Sequence, residues 1–305
     1  MLSPFLQGAM GLKMINPIPG IGNLQIVPQD SVSSEQLHSN IDANRKLMSR
    51  WLKLCDPWGG GLTVISGGDN AQKHLPLIKK LDKLGNKSLV VKHALPWLHR
   101  VGYNPWGVIL LDPRPVTGIS THGIVRTELF SCLPKKSKIF IASMSSPTVT
   151  EFILDLVEKQ APEDKCEIWG WHAWTDGAKD YKLPPGEHWI SGGTCAAWRT
   201  IGMGQFLGFA NYDLFGFDLC IWDFKGDLDE KDYKDRPKHL KVFVGLDRKE
   251  FISTPELMAA AQDANIILMD QGLNARITVH GEGIVPEIAK QINRPQRQKF
   301  ELLFP

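Results

Sequence analysis

The chain has 305 residues, of which 43% are hydrophobic and 22% are charged, so it can bury a sizeable core and is not intrinsically disordered. With 35 lysines and arginines against 33 acids, the net charge of +2 neither requires nor excludes a nucleic-acid partner. No apolar run reaches the roughly 18 to 20 residues of a membrane helix, the N-terminus lacks the basic region of a signal peptide, and the five cysteines show no paired spacing. We therefore expect a cytoplasmic protein with reduced thiols and no membrane partner.

Three segments are expected along the chain. Residues 1–58 predict an arm rich in proline and glycine, followed by a helix from Ser33 to Leu54 with Ser33 or Ser34 as its cap. The main domain is expected over residues 59–290, and a basic tail is expected over residues 291–305.

In the main domain, short apolar segments alternate with amphipathic ones. Strands are expected at 62–66, 88–91, 106–111, 138–142, 167–171, just before 190, 212–217, 241–245 and 276–280. Helices are expected at 74–84, 96–101, 148–159, 194–208 and 254–265. This alternation predicts an α/β fold, a Rossmann-like and mostly parallel sheet with helices on both faces.

The first strand is followed by the turn Gly67-Gly68-Asp69-Asn70, which leads into a helix. One interpretation is a nucleotide cradle, in which backbone N–H groups face a phosphate and Asn70 faces a ribose or a phosphate. The other is a tight structural turn closed by a side-chain cap.

Polar residues also follow the later strands. Asp112 stands before Pro113, where its carboxylate can hold a metal ion or a ribose hydroxyl, or can simply form the turn. Ser143 and Ser145 follow the next strand and are candidates for contacts with a donor. A helix cap at Ser146, with a proline in the first helical position, explains the same pattern without a ligand.

Two histidines bracket the loop that follows the strand at 167–171. His172 and His188 are candidate general bases for removing a proton from an acceptor hydroxyl, and Asp176 is a candidate partner. Ordinary polar roles are the alternative, and His93 and His280 are rival candidates.

Four tryptophans surround the same loop, and they either belong to the core or stack on a flat heterocycle or a sugar: Trp169, Trp171, Trp174 and Trp189. Two of them are spaced by two residues, which puts them on one face of a strand. Lys92 and Arg199 are candidate phosphate partners, with ion pairs as the alternative.

The segment from Trp189 to Asp218 predicts a strand end, a glycine turn, a helix and a second strand. Gly192, Gly193 and Thr194 let the chain turn sharply into the helix, whose N-terminus favours an anion. Asp218 then stands at the carboxyl end of the second strand, where ligands of open α/β sheets collect.

Asp112 and Asp218 together are a candidate site for one Mg²⁺ ion between donor phosphates, because this ion accepts sparse carboxylate ligation. Transfer without a metal is the alternative.

A series of short motifs resembles one known family: GGDNA at 67–71, LLDPRP at 110–115, IASMSSP at 141–147, SGGT at 191–194, LGFANYDLFGFD at 207–218, STPEL at 253–257 and VHGEGIVP at 279–286. The series resembles the 6-hydroxymethylpterin diphosphokinase-like family, which includes the motility-associated factors of flagellin glycosylation and is similar in fold to a class of bacterial sialyltransferases. The resemblance implies a Rossmann-like sheet and a transferase with a nucleotide-containing donor. Asp69-Asn70 departs from the Pro-Ser that the family usually carries there.

From the residues and the resemblance we expect a transferase that uses a nucleotide-activated donor. A glycosyltransferase with a nucleotide sugar is the leading expectation, an ATP-dependent diphosphokinase acting on a hydroxymethylpterin-like substrate is the second, and a nucleotide-binding protein without catalysis is the third. The turns at 67–70 and 191–194 are expected to follow neighbouring strands and to hold the donor jointly. The acceptor is left open among a hydroxymethyl heterocycle, a glycan and a modified DNA base.

Overall fold

The computed structural model describes residues 31–57, 59–115, 133–231, 235–245, 247–269 and 275–292. The predicted arm and nearly all of the predicted basic tail lie outside these residues. In chain order the helices and strands are α1 (Ser34–Leu47), β1 (Gly61–Ile65), α2 (Leu75–Lys83), β2 (Lys87–Val91), α3 (Leu95–Arg100), β3 (Gly107–Leu110), β4 (Lys138–Ala142), α4 (Pro147–Glu158), β5 (Glu167–Ala173), β6 (Trp189–Ile190), α5 (Ala196–Phe206), β7 (Asn211–Phe215), β8 (Leu240–Val244), β9 (Lys249–Ser253), α6 (Pro255–Met269), β10 (Arg276–Val279) and α7 (284–292).

Eight of the described strands form one sheet in the order β10-β7-β1-β2-β3-β4-β5-β6, and every neighbouring pair is parallel. The predicted α/β fold is therefore confirmed. The central strands are apolar along almost their whole length because helices cover both faces of the sheet. β8 and β9 form a separate antiparallel hairpin.

The helices divide between the two faces of the sheet. α2, α3 and α4 pack on one face, through side chains such as Ile78 and Ile153. α5, α6 and α7 pack on the other face, through side chains such as Ile201 and Ile284. α4 buries one apolar stripe and leaves a polar stripe outside, as its helical spacing predicts, whereas α5 is buried on nearly all sides.

The strand order reverses between β1 and β7. From β1 the chain adds strands outward on one side as far as β6, and it then returns to place β7 and β10 on the other side. The loops that follow β1 and β7 lead to helices on opposite faces of the sheet, and the carboxyl edge between them is the candidate crevice. Such a reversal is where open α/β sheets bind ligands.

Helix α1 is shorter than the sequence predicts. Ser33 is its cap, as expected, and its side chain accepts a hydrogen bond from the backbone of Gln36. The helix ends at Leu47 instead of Leu54, because the backbone around Trp51 pairs with β5 at Gly170 instead. A side chain at position 170 would collide with the Trp51 ring, so the absence of a Cβ there permits this pairing.

Candidate functional site

Asp218 lies at the carboxyl end of β7 and is only 1% exposed. Its Oδ2 atom accepts hydrogen bonds from the backbone N–H of Asn70 at 3.0 Å and from the indole Nε1–H of Trp222 at 3.1 Å. Its Oδ1 atom has no hydrogen-bond partner in the described part of the chain. Burial raises the pKa of this carboxyl, and the two hydrogen bonds offset only part of that effect. A buried oxygen without a partner is costly, so Oδ1 is a position that a ligand would complete.

Glycines allow three backbone segments to crowd around this carboxylate. A Cβ on Gly68 would lie 2.6 Å from the carbonyl oxygen of Gly216 and 2.7 Å from Cγ of Asp218. A Cβ on Gly283, in the loop before α7, would lie 2.5 Å from the carbonyl oxygen of Asp218. The turn after β1, the loop after β7 and the loop after β10 therefore meet at one point of the carboxyl edge.

The remaining residues of the first glycine turn are placed as follows. Gly67 and Asp69 are exposed, whereas Asn70 is buried. The Asn70 backbone donates to Asp218, and its side-chain amide donates to the carbonyl oxygen of Glu282 at 3.1 Å. The structure thus places this turn beside Asp218, where the sequence predicted the turn at Gly192-Gly193. The backbone N–H and the side-chain amide of Asn70 bond within the protein and not to a phosphate or ribose.

Asp112 has quite different surroundings from Asp218. Its carboxylate contacts Nζ of Lys92 at 3.0 Å and Nε of Arg114 at 2.9 Å. Burial alone would raise the pKa of Asp112, but Arg114 and Lys92 outweigh that effect and lower it. Lys92 therefore occupies a buried ion pair, which was the alternative to a phosphate contact.

The structure does not bring Asp112 and Asp218 together. They follow β3 and β7, which lie three places apart in the sheet, a separation of about 14 Å. Since Mg²⁺ binds oxygen at about 2.1 Å, the expectation of one ion shared by both carboxylates is wrong. Among the described residues, no group of three or more His, Cys, Asp or Glu side chains is placed to hold a metal ion.

His172 is a buried member of a hydrogen-bonded network. Its Nδ1 lies 2.9 Å from Oγ of Ser143, and its Nε2 lies 2.8 Å from Oε2 of Glu187. Glu187 also forms an ion pair with Arg45 of α1, and the imidazole stacks on Trp51 with ring centroids 4.6 Å apart. Burial lowers the pKa of His172 and outweighs the opposite effect of Glu187. With both nitrogens engaged and 3% exposure, this histidine serves as a neutral link between elements.

The serines after β4 are also buried. The side chain of Asn44, on α1, donates to the carbonyl oxygens of Ser143 and Ser145, so α1 covers this loop. Both serines are 0% exposed, which contradicts the expected contact with a donor. Ser146 is the cap residue of α4 and Pro147 is its first helical residue, as the alternative interpretation predicted.

His188 lies away from the carboxyl edge. It is exposed, and its ring centroid is 6.0 Å from that of Phe206, at the end of α5 that leads toward the amino end of β7. The structure therefore does not bring His188 to the crevice where Asp218 lies.

The second glycine turn has the predicted backbone but not the predicted neighbour. Gly192 and Gly193 have φ values of 140° and 83°, which only glycine adopts without strain. The backbone N–H and the hydroxyl of Thr194 both donate to Oδ2 of Asp263, at 2.6 and 2.7 Å, so an internal carboxylate occupies the expected anion position. The turn follows β6, which lies five places from β1, and the expectation that the two turns follow neighbouring strands is wrong.

The predicted tryptophans stay largely within the protein. Trp171 is 1% exposed and belongs to the core, and Trp169 packs against Arg50 and Lys138. Trp174 and Trp189 contact each other edge to face, with centroids 5.9 Å apart. These contacts fit the core interpretation better than a stacking surface.

Sequence reasoning missed two features at the crevice. Trp222 donates a hydrogen bond to Asp218 and is 39% exposed. Its signal in the sequence was a tryptophan four residues after the candidate acid. The second is the partner of His280, which the sequence offered only as a rival candidate: Nε2 of His280, at the carboxyl end of β10, lies 2.7 Å from Oδ1 of Asp213. The His280 ring also stacks on Phe215 of β7, with centroids 4.4 Å apart.

No known protein-family profile matches the sequence, and no similar chain is found among curated proteins. Among solved structures, the fold is similar to that of the MAf glycosyltransferase from Magnetospirillum magneticum AMB-1, with a TM-score of 0.56 and 12% sequence identity. The similarity covers 84% of this chain and 38% of that protein, so the chain spans well under half of its neighbour's length. No helix in the described ranges is long and apolar enough to cross a bilayer. The comparisons support a glycosyltransferase-like fold and give no support to the diphosphokinase-like family.

Proposed function

We propose that the chain is a glycosyltransferase that binds a nucleotide-sugar donor at the carboxyl ends of β1 and β7. The observation that carries this proposal is Asp218, a buried carboxylate with one unpartnered oxygen beside the Gly68 turn, where the strand order reverses. Ligands of open α/β sheets bind in that crevice. The similarity in fold to a glycosyltransferase supports a sugar as the transferred group.

In this proposal Asp218 binds a neutral group of the donor. A carboxylate oxygen accepts hydrogen bonds, so Oδ1 receives a hydroxyl or amino hydrogen and repels a bare phosphate. Oδ1 is equally suited to a divalent cation, but a hydrogen bond from a donor hydroxyl does not require one.

His280 is the proposed base, because it follows the strand next to β7 and has a fixed partner. Asp213 can only accept, so Nε2 of His280 carries the proton and Nδ1 is left as the basic nitrogen. As the acceptor oxygen bonds to the anomeric carbon, its proton passes to Nδ1. The bond from that carbon to the phosphate oxygen breaks at the same time, and the nucleotide leaves with the electron pair.

The test is a thermal-shift panel of uridine, cytidine and guanosine sugar nucleotides and ATP, each with and without Mg²⁺. A donor at 100 times its Kd stabilises the native state by about 2.7 kcal/mol, and we expect one sugar nucleotide to do so. Gly68→Ala and Asp218→Asn should abolish the thermal shift. His280→Gln should keep the thermal shift but lose sugar transfer. The control Asp155→Asn, on the exposed side of α4, should change neither the shift nor the transfer.

Three results would count against this function. A shift with ATP alone would favour diphosphate transfer, and binding without any transferred sugar would favour a nucleotide-binding protein. A panel without any shift would contradict a nucleotide-sugar site.

A further inference from the structure

Trp222 combines exposure with a fixed attachment to the site acid. It is one of the few large apolar side chains with substantial exposure in the described ranges, at 39%, although its indole Nε1–H is committed to Oδ2 of Asp218 at 3.1 Å. The same carboxylate keeps its other oxygen without a partner. The exposed indole is therefore attached to a buried carboxylate whose second oxygen is unsatisfied.

The backbone around Trp222 holds the indole in place from both sides. The N–H of Ile221 donates to the carbonyl oxygen of Ile252 at 2.8 Å, which attaches the segment to β9. The hydroxyl of Ser253 donates to the carbonyl oxygen of Leu219, also at 2.8 Å. Phe251 meets the indole nearly edge to face, with ring centroids 6.3 Å apart. The ring is thus positioned before any ligand arrives, which lowers the entropy cost of binding.

Two charged side chains act on this carboxylate, one acidic and one basic. Asp69 and Lys73 act on Asp218 with opposite signs, and Asp69 has the larger effect. A neutral, hydroxyl-bearing group fits this surrounding better than an anion does.

We infer that Trp222 and Asp218 form the subsite for the sugar ring of the donor, an inference that rests on the proposed function. The apolar C–H face of the sugar lies on the indole, and a sugar hydroxyl donates to Oδ1 of Asp218. An indole N–H lies in the plane of its ring, so the carboxylate sits near that plane and below any stacked ligand. A nucleobase is flat, so when it stacks about 3.5 to 4 Å above the indole its N–H groups stay in its own plane and point away from the carboxylate. Sugar hydroxyls project out of the plane of their ring and can point toward the carboxylate.

The test compares matched pairs of ligands by titration calorimetry: uridine diphosphate glucose with uridine diphosphate, guanosine diphosphate mannose with guanosine diphosphate, and cytidine monophosphate sialic acid with cytidine monophosphate. We expect the wild-type protein to bind one sugar nucleotide more tightly than its free nucleotide. Trp222→Ala should weaken the sugar nucleotide about tenfold and leave the free nucleotide within twofold, whereas Trp222→Phe, which keeps an aromatic face, should retain most of the difference.

Other outcomes overturn the inference in distinct ways. If Trp222→Ala weakens the sugar nucleotide and the free nucleotide equally, the indole holds the base. If it weakens neither while binding persists, Trp222 belongs to no subsite. If the wild-type protein binds none of the sugar nucleotides, the proposed function fails. The subsite then stands only if millimolar glucose, mannose or N-acetylglucosamine changes the tryptophan fluorescence of the wild-type protein more than that of Trp222→Phe.

Discussion

Two buried carboxylates at strand tips, Asp112 and Asp218, have opposite electrostatic surroundings. Asp112 is neutralised by Lys92 and Arg114, whereas Asp218 has two neutral donors and an unpartnered oxygen. The pKa of the first is lowered and the pKa of the second is raised. The first carboxylate therefore favours the folded state near neutral pH, and the second disfavours it.

We expect Asp112→Asn and Asp218→Asn to change stability in opposite directions. Asp112→Asn leaves the ammonium of Lys92 buried without its partner and should reduce the free energy of unfolding by about 3 to 5 kcal/mol. Asp218→Asn removes a desolvated charge and should raise that free energy at pH 7. Urea unfolding of both variants at one pH checks the pair, and a loss of stability in Asp218→Asn would contradict a strained site acid.

The sequence predicted the features of these residues that depend on their neighbours along the chain, such as a turn at the end of a strand. The glycine turns and Asp218 were correctly placed after apolar strands, but the turn beside Asp218 is the one at Gly68 and not the expected one at Gly192-Gly193. The pairing of Asp112 with Asp218 was wrong, because no feature of the sequence indicates which strands are neighbours. His172 was predicted as a candidate base, but its partners Ser143 and Glu187 come from other elements and make it a buried structural link.

At the scale of elements, α5 approaches the sheet more closely than an ordinary helix can. A Cβ on Gly202 would lie 2.2 Å from the carbonyl oxygen of Ser191, and a Cβ on Gly204 would lie 2.6 Å from Cε1 of Tyr212. Both glycines are buried in the middle of the helix, where glycine otherwise weakens helix formation by up to about 1 kcal/mol. Close packing, not helix propensity, explains their presence.

We expect Gly202→Ala to destabilise the protein although alanine favours helices. The new methyl group meets a backbone carbonyl that cannot rotate away, and such overpacking costs about 1 to 3 kcal/mol. Gln205→Ala, in the same helix and without a backbone clash, is the control and should change stability by less than about 0.5 kcal/mol. Thermal unfolding of the two variants checks this, and equal behaviour would contradict the close approach.

Most element boundaries were predictable to within a few residues, because apolar strands and amphipathic helices have distinct periods. The errors have physical causes. Residues 48–54 continue a helical pattern but gain more from pairing with β5. β9 was missed because Lys249–Ser253 mixes charged and apolar residues and lies outside the main sheet, where it pairs with β8 and bridges to Ile221.

At the scale of the whole molecule, the network around His172 joins four parts of the chain. Ser143 follows β4, His172 lies in β5, Glu187 precedes β6 and Arg45 belongs to α1. A second proton on His172 would reverse the hydrogen bond between Nδ1 and Ser143 and place a charge in a buried position, and burial lowers the pKa of the imidazole below its ordinary value of 6.5. The unfolded chain therefore binds a proton at a higher pH than the folded chain does.

This linkage gives a pH dependence with a definite sign. We expect the free energy of unfolding to be highest above pH 6.5 and to fall as the pH decreases below that value, because only the unfolded state gains the proton there. His172→Gln cannot take up a proton and should lose less stability between pH 7 and pH 5, although it is less stable at pH 7. Urea midpoints across this range check the slope, and parallel curves would contradict it.

The return of the chain to β7 has a consequence for biosynthesis. Gly61 of β1 pairs with Asn211 of β7, so β1 emerges from the ribosome long before one of its two partners exists. Strands β2 to β6 can assemble on one side of β1 in the meantime, while its other backbone edge stays open on the nascent chain. That bare edge is a target for chaperones, and a polypeptide released before residue 211 would keep it. The surroundings of Asp218 also require Gly283, so a chain stopped before residue 211 lacks the proposed site.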